Sequence, residues 1–341
     1  MDNISRFGVF APSFIKPGDG PERAPGLIDF VKRVEELGFD SVFITDHLLA
    51  ATQFYSASFL EPLSTLAVLA GATERVRLGT SILVLPVRDP VILAKELSTL
   101  QFLSGNRFIL GGGLGWNPAE FRATGGDKSQ RGRRADEILD ITIPLLEGET
   151  VTYHGQFYDI EDVSIEPRPE RRPPLWIGGG SQFADEKSPD LPRLVPAVKR
   201  RILRADGWIP RPTCPPPLIA NDWAELSEAL VADGRDLSTF TVAHENFTHF
   251  VPTTDPAKAR EEQHRAFLNI MSTTRGEAYL EAVYLFGTPD EIVASLQARV
   301  DVGVRYFMLH TMTPDARQLD DWVREIVPNV KFPEEPAGAA V

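Results

Sequence analysis

Two histidines, His47 and His310, stand where an imidazole could do chemistry. His47 follows Asp46 at the end of the apolar run 41–45, and His310 closes the run 306–310. An imidazole titrates near neutrality, so either ring could exchange a proton with a substrate or a reduced cofactor ring. A histidine ending a strand is also often a structural group, and the residues alone leave both readings open. Glycine clusters point to a second kind of chemistry. Gly178-Gly179-Gly180-Ser181 follows the apolar Leu175-Trp176-Ile177 and could present amides and a hydroxyl to one phosphate group. The run Gly111-Gly112-Gly113-Leu114-Gly115 has the look of a dinucleotide loop, yet it arrives after the fourth strand and opens on Trp116-Asn117-Pro118. Close packing at a crowded strand end is its alternative reading.

Other groups argue by their spacing. His244 and His249 lie five apart on an expected strand, so they point to opposite faces and do not make a zinc pair. Residues 130–134 carry three arginines that either reach an anionic cofactor or form a solvated helix face. Asp46, Glu61, Glu120 and Glu245 are carboxylates whose mutual placement the sequence does not give. No Gly-x-Ser-x-Gly elbow and no Gly-x₄-Gly-Lys-Ser/Thr loop occurs, so acyl and phosphoryl transfer lack support.

The elements that must hold these groups alternate. Short apolar runs at 7–14, 41–45, 76–85, 107–112, 175–177, 207–209, 240–251 and 306–310 read as strands. Between them, three/four spacing of apolar residues predicts helices at 27–37, 62–72, 91–103, most of 117–146, 222–232, 257–284 and 289–302, with a last one at 315–327. Strands apolar throughout, each followed by a helix, predict a parallel sheet covered by helices. Eight of them predict a closed (β/α)₈ TIM barrel, one domain over 1–332 with a tail at 333–341. A hairpin insertion is expected near 150–173, and a loop insertion near 181–196. In such a barrel functional groups gather where strands end. The strand exits carry Phe14, Asp46 and His47, Thr80 and Ser81, Gly113 to Trp116, the 178–181 turn, Trp208 and His310.

Composition narrows the function classes. The 341 residues are 43% hydrophobic, and 35 basic against 48 acidic residues give a net charge of −13, which argues against a general affinity for nucleic acid or anionic lipid. Cys214 is the only cysteine, so no intramolecular disulfide and no thiolate metal cluster can form. The N-terminal residues lack a basic start before a long apolar run, and no stretch approaches a membrane span of roughly 20 apolar residues. A soluble, cytoplasmic protein is expected.

The string Gly38-Phe39-Asp40-Ser41-Val42-Phe43-Ile44-Thr45-Asp46-His47, then Arg77-Leu78-Gly79-Thr80-Ser81-Ile82-Leu83-Val84-Leu85-Pro86, Gly113-Leu114-Gly115-Trp116 with Glu120-Phe121, Pro174-Leu175-Trp176-Ile177-Gly178-Gly179 and Ala205-Asp206-Gly207-Trp208, resembles bacterial-luciferase-like monooxygenases and their F420-dependent relatives. The resemblance covers roughly residues 7–330. It implies the barrel, often as a homodimer, with a noncovalent flavin or F420 at its mouth. It implies a non-proline cis peptide at Thr80-Ser81, and a cofactor held by Asp46, Thr80, Ser81, Gly113, Leu114 and the turn Gly178, Gly179, Gly180 and Ser181. His47 and His310 become the catalytic candidates, and Phe14, Trp116 and Trp208 the pocket lining. The first expectation is a monooxygenase using reduced FMN, supplied by a separate flavin reductase, and O₂ to oxygenate a small organic substrate. The alternative is an F420-dependent oxidoreductase moving hydride without oxygen; a third reading is a flavin-binding barrel without turnover. Two departures limit the transfer. The luciferases' cysteine-arginine-glycine run is replaced by Gly112-Gly113-Leu114, and the glutamate that sugar-phosphate dehydrogenases place near Trp116 is missing.

Overall fold

The computed structural model describes residues 3–50, 55–182, 193–272 and 276–334. Eight parallel strands form the centre: β1 (Phe7–Phe10), β2 (Ser41–Ile44), β3 (Arg77–Thr80), β4 (Phe108–Gly113), β5 (Leu175–Gly178), β6 (Gly207–Ile209), β7 (Thr241–Phe247) and β8 (Tyr306–His310). Each pairs with the next, β8 returns to β1 with Phe7 opposite Phe307, and β4 joins β5 with Leu175 opposite Leu110, which closes the barrel. One helix follows each strand: α1 (Arg23–Leu37), α2 (Pro62–Ala72), α3 (Pro90–Ser104), α4 (Arg131–Leu146), α5 (Pro196–Leu203), α6 (Pro216–Ala232), α7 (Pro289–Asp301) and α8 (Arg317–Asp321). The protein is a single-domain (β/α)₈ barrel.

Local chemistry explains the helix starts. Proline stands in the first turn of α2, α3, α5, α6 and α7, where its missing N–H removes no hydrogen bond. Asp89 accepts from the amides of Val91 and Ile92 at 3.0 Å to cap α3, and Thr288 with Glu291 forms a capping box on α7. Strands buried on both faces require apolar side chains both ways. One set, including Phe10, Phe43, Ile109, Trp176 and Met308, fills the barrel, while the larger set packs under the helices.

Several boundaries differ from the sequence reading, each for a local reason. The expected strand 7–14 stops at Phe10. Pro12 cannot donate to the ladder, and Phe14–Ile15 instead pairs antiparallel with Ser58–Phe59. The expected strand 76–85 breaks after Thr80, and Leu83–Val84 rejoins beside β4. The non-proline cis peptide lies between Ser81 and Ile82, one bond beyond the Thr80-Ser81 position expected. Helix α6 starts at Pro216 rather than Asp222, which moves Asp222 from a helix entrance to a buried face. The span 257–284 is two helices, Pro256–Leu268 and Glu277–Val283, and the last helix shortens to α8 followed by a wide turn at Trp322–Ile326. Helix α5 was not anticipated; most of the expected loop at 181–196 lies outside the described residues. Val151–His154 and Asp159–Val163 form an antiparallel hairpin. Among the described residues no helix is long and apolar enough to cross a membrane.

Candidate active site

The strand ends converge on a mouth whose best-defined constellation surrounds His47. The β2 exit brings this imidazole to Glu120, on the short helix Pro118–Ala123 after β4, and to Tyr55. Nδ1 lies 3.4 Å from Glu120 Oε1, and Nε2 lies 3.1 Å from the Tyr55 hydroxyl. The carboxylate is 1% exposed and also accepts from the Leu49 amide at 3.3 Å. With Nδ1–H donating to Glu120, Nε2 accepts from the Tyr55 O–H, so the two partners select one neutral tautomer. Burial pushes the Tyr55 phenol well above its ordinary value, and nearby Tyr284, Glu245 and Glu120 push it further. Phe59 and Trp116 pack against the same imidazole, with ring centroids 5.5 and 5.6 Å away. The arrangement is a carboxylate, imidazole and phenol in series inside an aromatic wall.

His310, at the β8 exit, has a different environment. It is stacked on Phe10 and Phe14 and tilted against Phe247, and burial pushes its proton affinity down to about 4. Its Nδ1 accepts from the Met312 amide at 3.2 Å, which leaves the proton on Nε2. At neutral pH His310 is a donor, not a base.

Across the mouth, Glu245 projects inward from β7 between Ala243 and Phe247, and accepts a hydrogen bond from the Ser81 hydroxyl beside the cis bond. Burial raises this acid to about 7, with only the Ser81 hydrogen bond opposing it.

The glycine segments form a crevice between β4 and β5, lined by Leu85, Gly113, Leu114, Ile177, Gly178, Val198 and Arg201. A Cβ on Gly113 would lie 2.7 Å from Ile82, and one on Gly178 2.8 Å from it. Glycine at both positions is therefore what lets Ile82 project between the strands. Beyond the crevice, Arg211 donates to Gly180 O at 3.1 Å and Gln182 Oε1 at 2.8 Å. Burial lowers its proton affinity and Arg131 nearby lowers it further, while Cys214 and Asp222 act the other way. Arg131 Nε is buried with no hydrogen-bond partner, and neither guanidinium makes an ion pair with a described carboxylate.

An orphaned buried donor, Arg131 Nε, beside the Arg211 guanidinium fits the anionic end of a flavin or deazaflavin. The crevice encloses only about 10 Å³, too little for a ring system, so the residues here that would meet such a cofactor are Arg131 and Arg211, at its charged end.

Some expected site residues are engaged elsewhere. Asp46 accepts from the Val84 amide at 2.9 Å and from Arg88 at 3.0 Å, holding the β3 exit loop. The Thr80 hydroxyl donates to Gly111 O at 2.9 Å between strands. Trp208 is a correction. It does not line the pocket but is fully buried under the helices, because Ile209 takes the inward direction on β6; its indole N–H donates to Gly179 O at 2.8 Å. His244 also points outward and is fully buried with both nitrogens unpartnered, held neutral by burial and by Arg299. Among the described residues no cluster of His, Cys, Asp and Glu could hold a metal ion.

Sequence reasoning missed Tyr55 and left Glu120 and Glu245 without roles. For Glu245 a signal existed, since it is a charged residue in register with the apolar Ala243 and Phe247 on the inward side of the strand. Tyr55 and Glu120 meet His47 only through the fold, and no spacing announces that.

A model of luciferase-like monooxygenases matches residues 5–278. An uncharacterized protein of Mycobacterium tuberculosis is 32% identical over 199 residues, which cover 53% of this chain and 64% of that protein. An F420-dependent glucose-6-phosphate dehydrogenase of Microbacterium testaceum is 29% identical over 329 residues, 89% of this chain and 93% of the relative. Among solved structures, an F420-dependent secondary alcohol dehydrogenase superimposes with a TM-score of 0.77 at 18% identity, covering 96% of this chain and 99% of that one. Since the family match spans most of the barrel, this chain belongs to the luciferase-like monooxygenase family, whose members are oxidoreductases.

Proposed function

We propose that this protein is an F420-dependent oxidoreductase that exchanges hydride between the deazaflavin and the carbinol carbon of a small alcohol, without oxygen. The observation that carries the reading is the Glu120, His47 and Tyr55 series at the mouth. When bound, the deazaflavin supplies the hydride chemistry. The chain supplies the proton: oxidising an alcohol requires a base at its oxygen, and Nε2 of His47 is a base whose tautomer Glu120 fixes. Tyr55 passes its proton to Nε2 as its oxygen takes the proton of the substrate hydroxyl, so the phenol ends the step protonated. The nearly full-length F420-dependent relative supports the cofactor. A local pair of guanidiniums also answers the objection that a chain at −13 poorly hosts an anionic tail.

The lining favours a weakly polar substrate. Phe14, Phe59, Trp116 and Phe247 surround the two imidazoles, and no cation acts on Glu245. A phosphorylated sugar would require cations there. Anaerobic assays with F420 should therefore show oxidation of small secondary alcohols and none of glucose 6-phosphate. Oxidation of the sugar phosphate alone would discard the substrate class. The rival is oxygenation by reduced FMN delivered by a reductase; oxygen-dependent turnover with FMN, and none with F420, would establish it instead.

A second copy of the chain is the partner we propose. Helices α2 and α3 lie side by side and leave Val68, Ile92, Phe102 and Leu103 between 55% and 72% exposed. Helices apolar on both faces belong in an interface. Sedimentation of the wild type should give a dimer, and Phe102→Glu should shift it toward monomer; a monomeric wild type would remove the proposal.

A further inference from the structure

The turn after β5 has the shape of an anion cradle but its donors are already occupied. Gly179 and Gly180 adopt φ of 152° and 115°, backbone that glycine alone tolerates well. The Gly179 amide donates to Ile209 O at 3.0 Å. The Ser181 amide and hydroxyl donate to Asp222 Oδ2 and Oδ1, both at 2.7 Å. Asp222 is 3% exposed, and its carboxylate presses so closely on the turn that a Cβ on Gly180 would lie 2.8 Å from Oδ2. An internal carboxylate thus holds the hydroxyl and amide that a ligand's phosphate oxygens would otherwise receive. Arg211 donates to Gly180 O at 3.1 Å and acts electrostatically on Asp222, and Arg131, with its orphaned Nε, acts in turn on Arg211. The turn thus carries a carboxylate on its Ser181 donors and a guanidinium on its Gly180 carbonyl.

We propose that Asp222 is a specificity residue for the anionic end of the cofactor: it closes the Ser181 donors to a phosphate monoester and leaves the cofactor's charge to Arg131 and Arg211. The inference rests on the reading that a flavin-type ring binds at this mouth. Its chemistry is charge counting. A monoester such as the FMN phosphate carries about −1.5 to −2 at neutral pH, whereas the phosphodiester of F420 carries a single charge. Repulsion from a fixed neighbouring carboxylate scales with that charge, so Asp222 disfavours FMN more than F420 and does not act on phosphate-free riboflavin.

The test uses the intact chain, titrated by fluorescence with FMN and riboflavin. The wild type should bind riboflavin at least as tightly as FMN. Asp222→Asn keeps an acceptor for Ser181 while removing the charge, and should tighten FMN about tenfold and leave riboflavin within about twofold. A wild type that prefers FMN tenfold or more, a variant that moves both ligands together, or a wild type that binds neither flavin would each overturn the proposal. Should the variant fold poorly, the wild-type ratio decides alone. A parallel F420 titration separates the two claims: failure to bind F420 removes the proposed function, while the FMN to riboflavin ratio still judges Asp222.

Discussion

At the bottom of the barrel, where the strands begin, Tyr306 bonds to both Ser41 and Asp40, and Asp40 takes three hydrogen bonds from Arg77. Each charge there meets its opposite. At the mouth, Glu245 has only the Ser81 hydroxyl and no cation, His310 is neutralised by its apolar surroundings, and His47 reaches Glu120 at a loose 3.4 Å. The two ends share strands and burial, so the difference lies in the side chains alone. A satisfied polar plug stabilises the fold, whereas an underpaired acid raises the free energy of the folded state and persists where it serves chemistry.

Breaking the mouth's proton series should have the largest effect. His47→Asn is expected to slow substrate oxidation by roughly 10²- to 10⁴-fold, the range for a lost general base. Thermal melting should barely change, and a rate loss under tenfold would remove His47 from the mechanism.

Glu245→Gln sharpens the comparison, because it should stabilise the protein. The folded acid is raised to about 7 from an ordinary 4.5. As pH rises between those values, the unfolded chain releases its proton while the folded one keeps it, so folding weakens, by roughly 3 kcal/mol in full. The variant should match the wild type near pH 4.5 and exceed it above pH 7. Urea titrations at both pH values check the sign.

Tyr306→Phe should do the reverse at the other end, costing about 1–3 kcal/mol by leaving buried partners without the phenol. The ratio kcat/KM should hold within about twofold. A stable Tyr306→Phe variant with impaired turnover would erase the distinction between the two ends.

How much of this was readable beforehand depends on the scale of the signal. Strand-by-strand alternation is local, and all eight barrel strands fall on the expected runs, with β4 and β5 each ending one residue beyond. Direction within a strand is less readable where every residue is apolar: Gly207-Trp208-Ile209 gives no polar residue to mark the outward face, and Trp208 was placed on the wrong side. Asp222 left a trace, since α6 buries Ile219, Asp222, Leu226 and Leu230 on one stripe, where a carboxylate is out of place. An early helix start would have exposed it. The pairing of His47 with a residue 73 positions away is a property of barrel closure, and no local pattern contains it.

Hydride transfer to the deazaflavin is tested most directly by an anaerobic single-turnover measurement with oxidised F420 and a secondary alcohol deuterated at its carbinol carbon. The oxidised deazaflavin absorbance should be lost with a primary isotope effect, and deuterium should be recovered in the reduced cofactor. No reaction until oxygen and reduced FMN are supplied would contradict it.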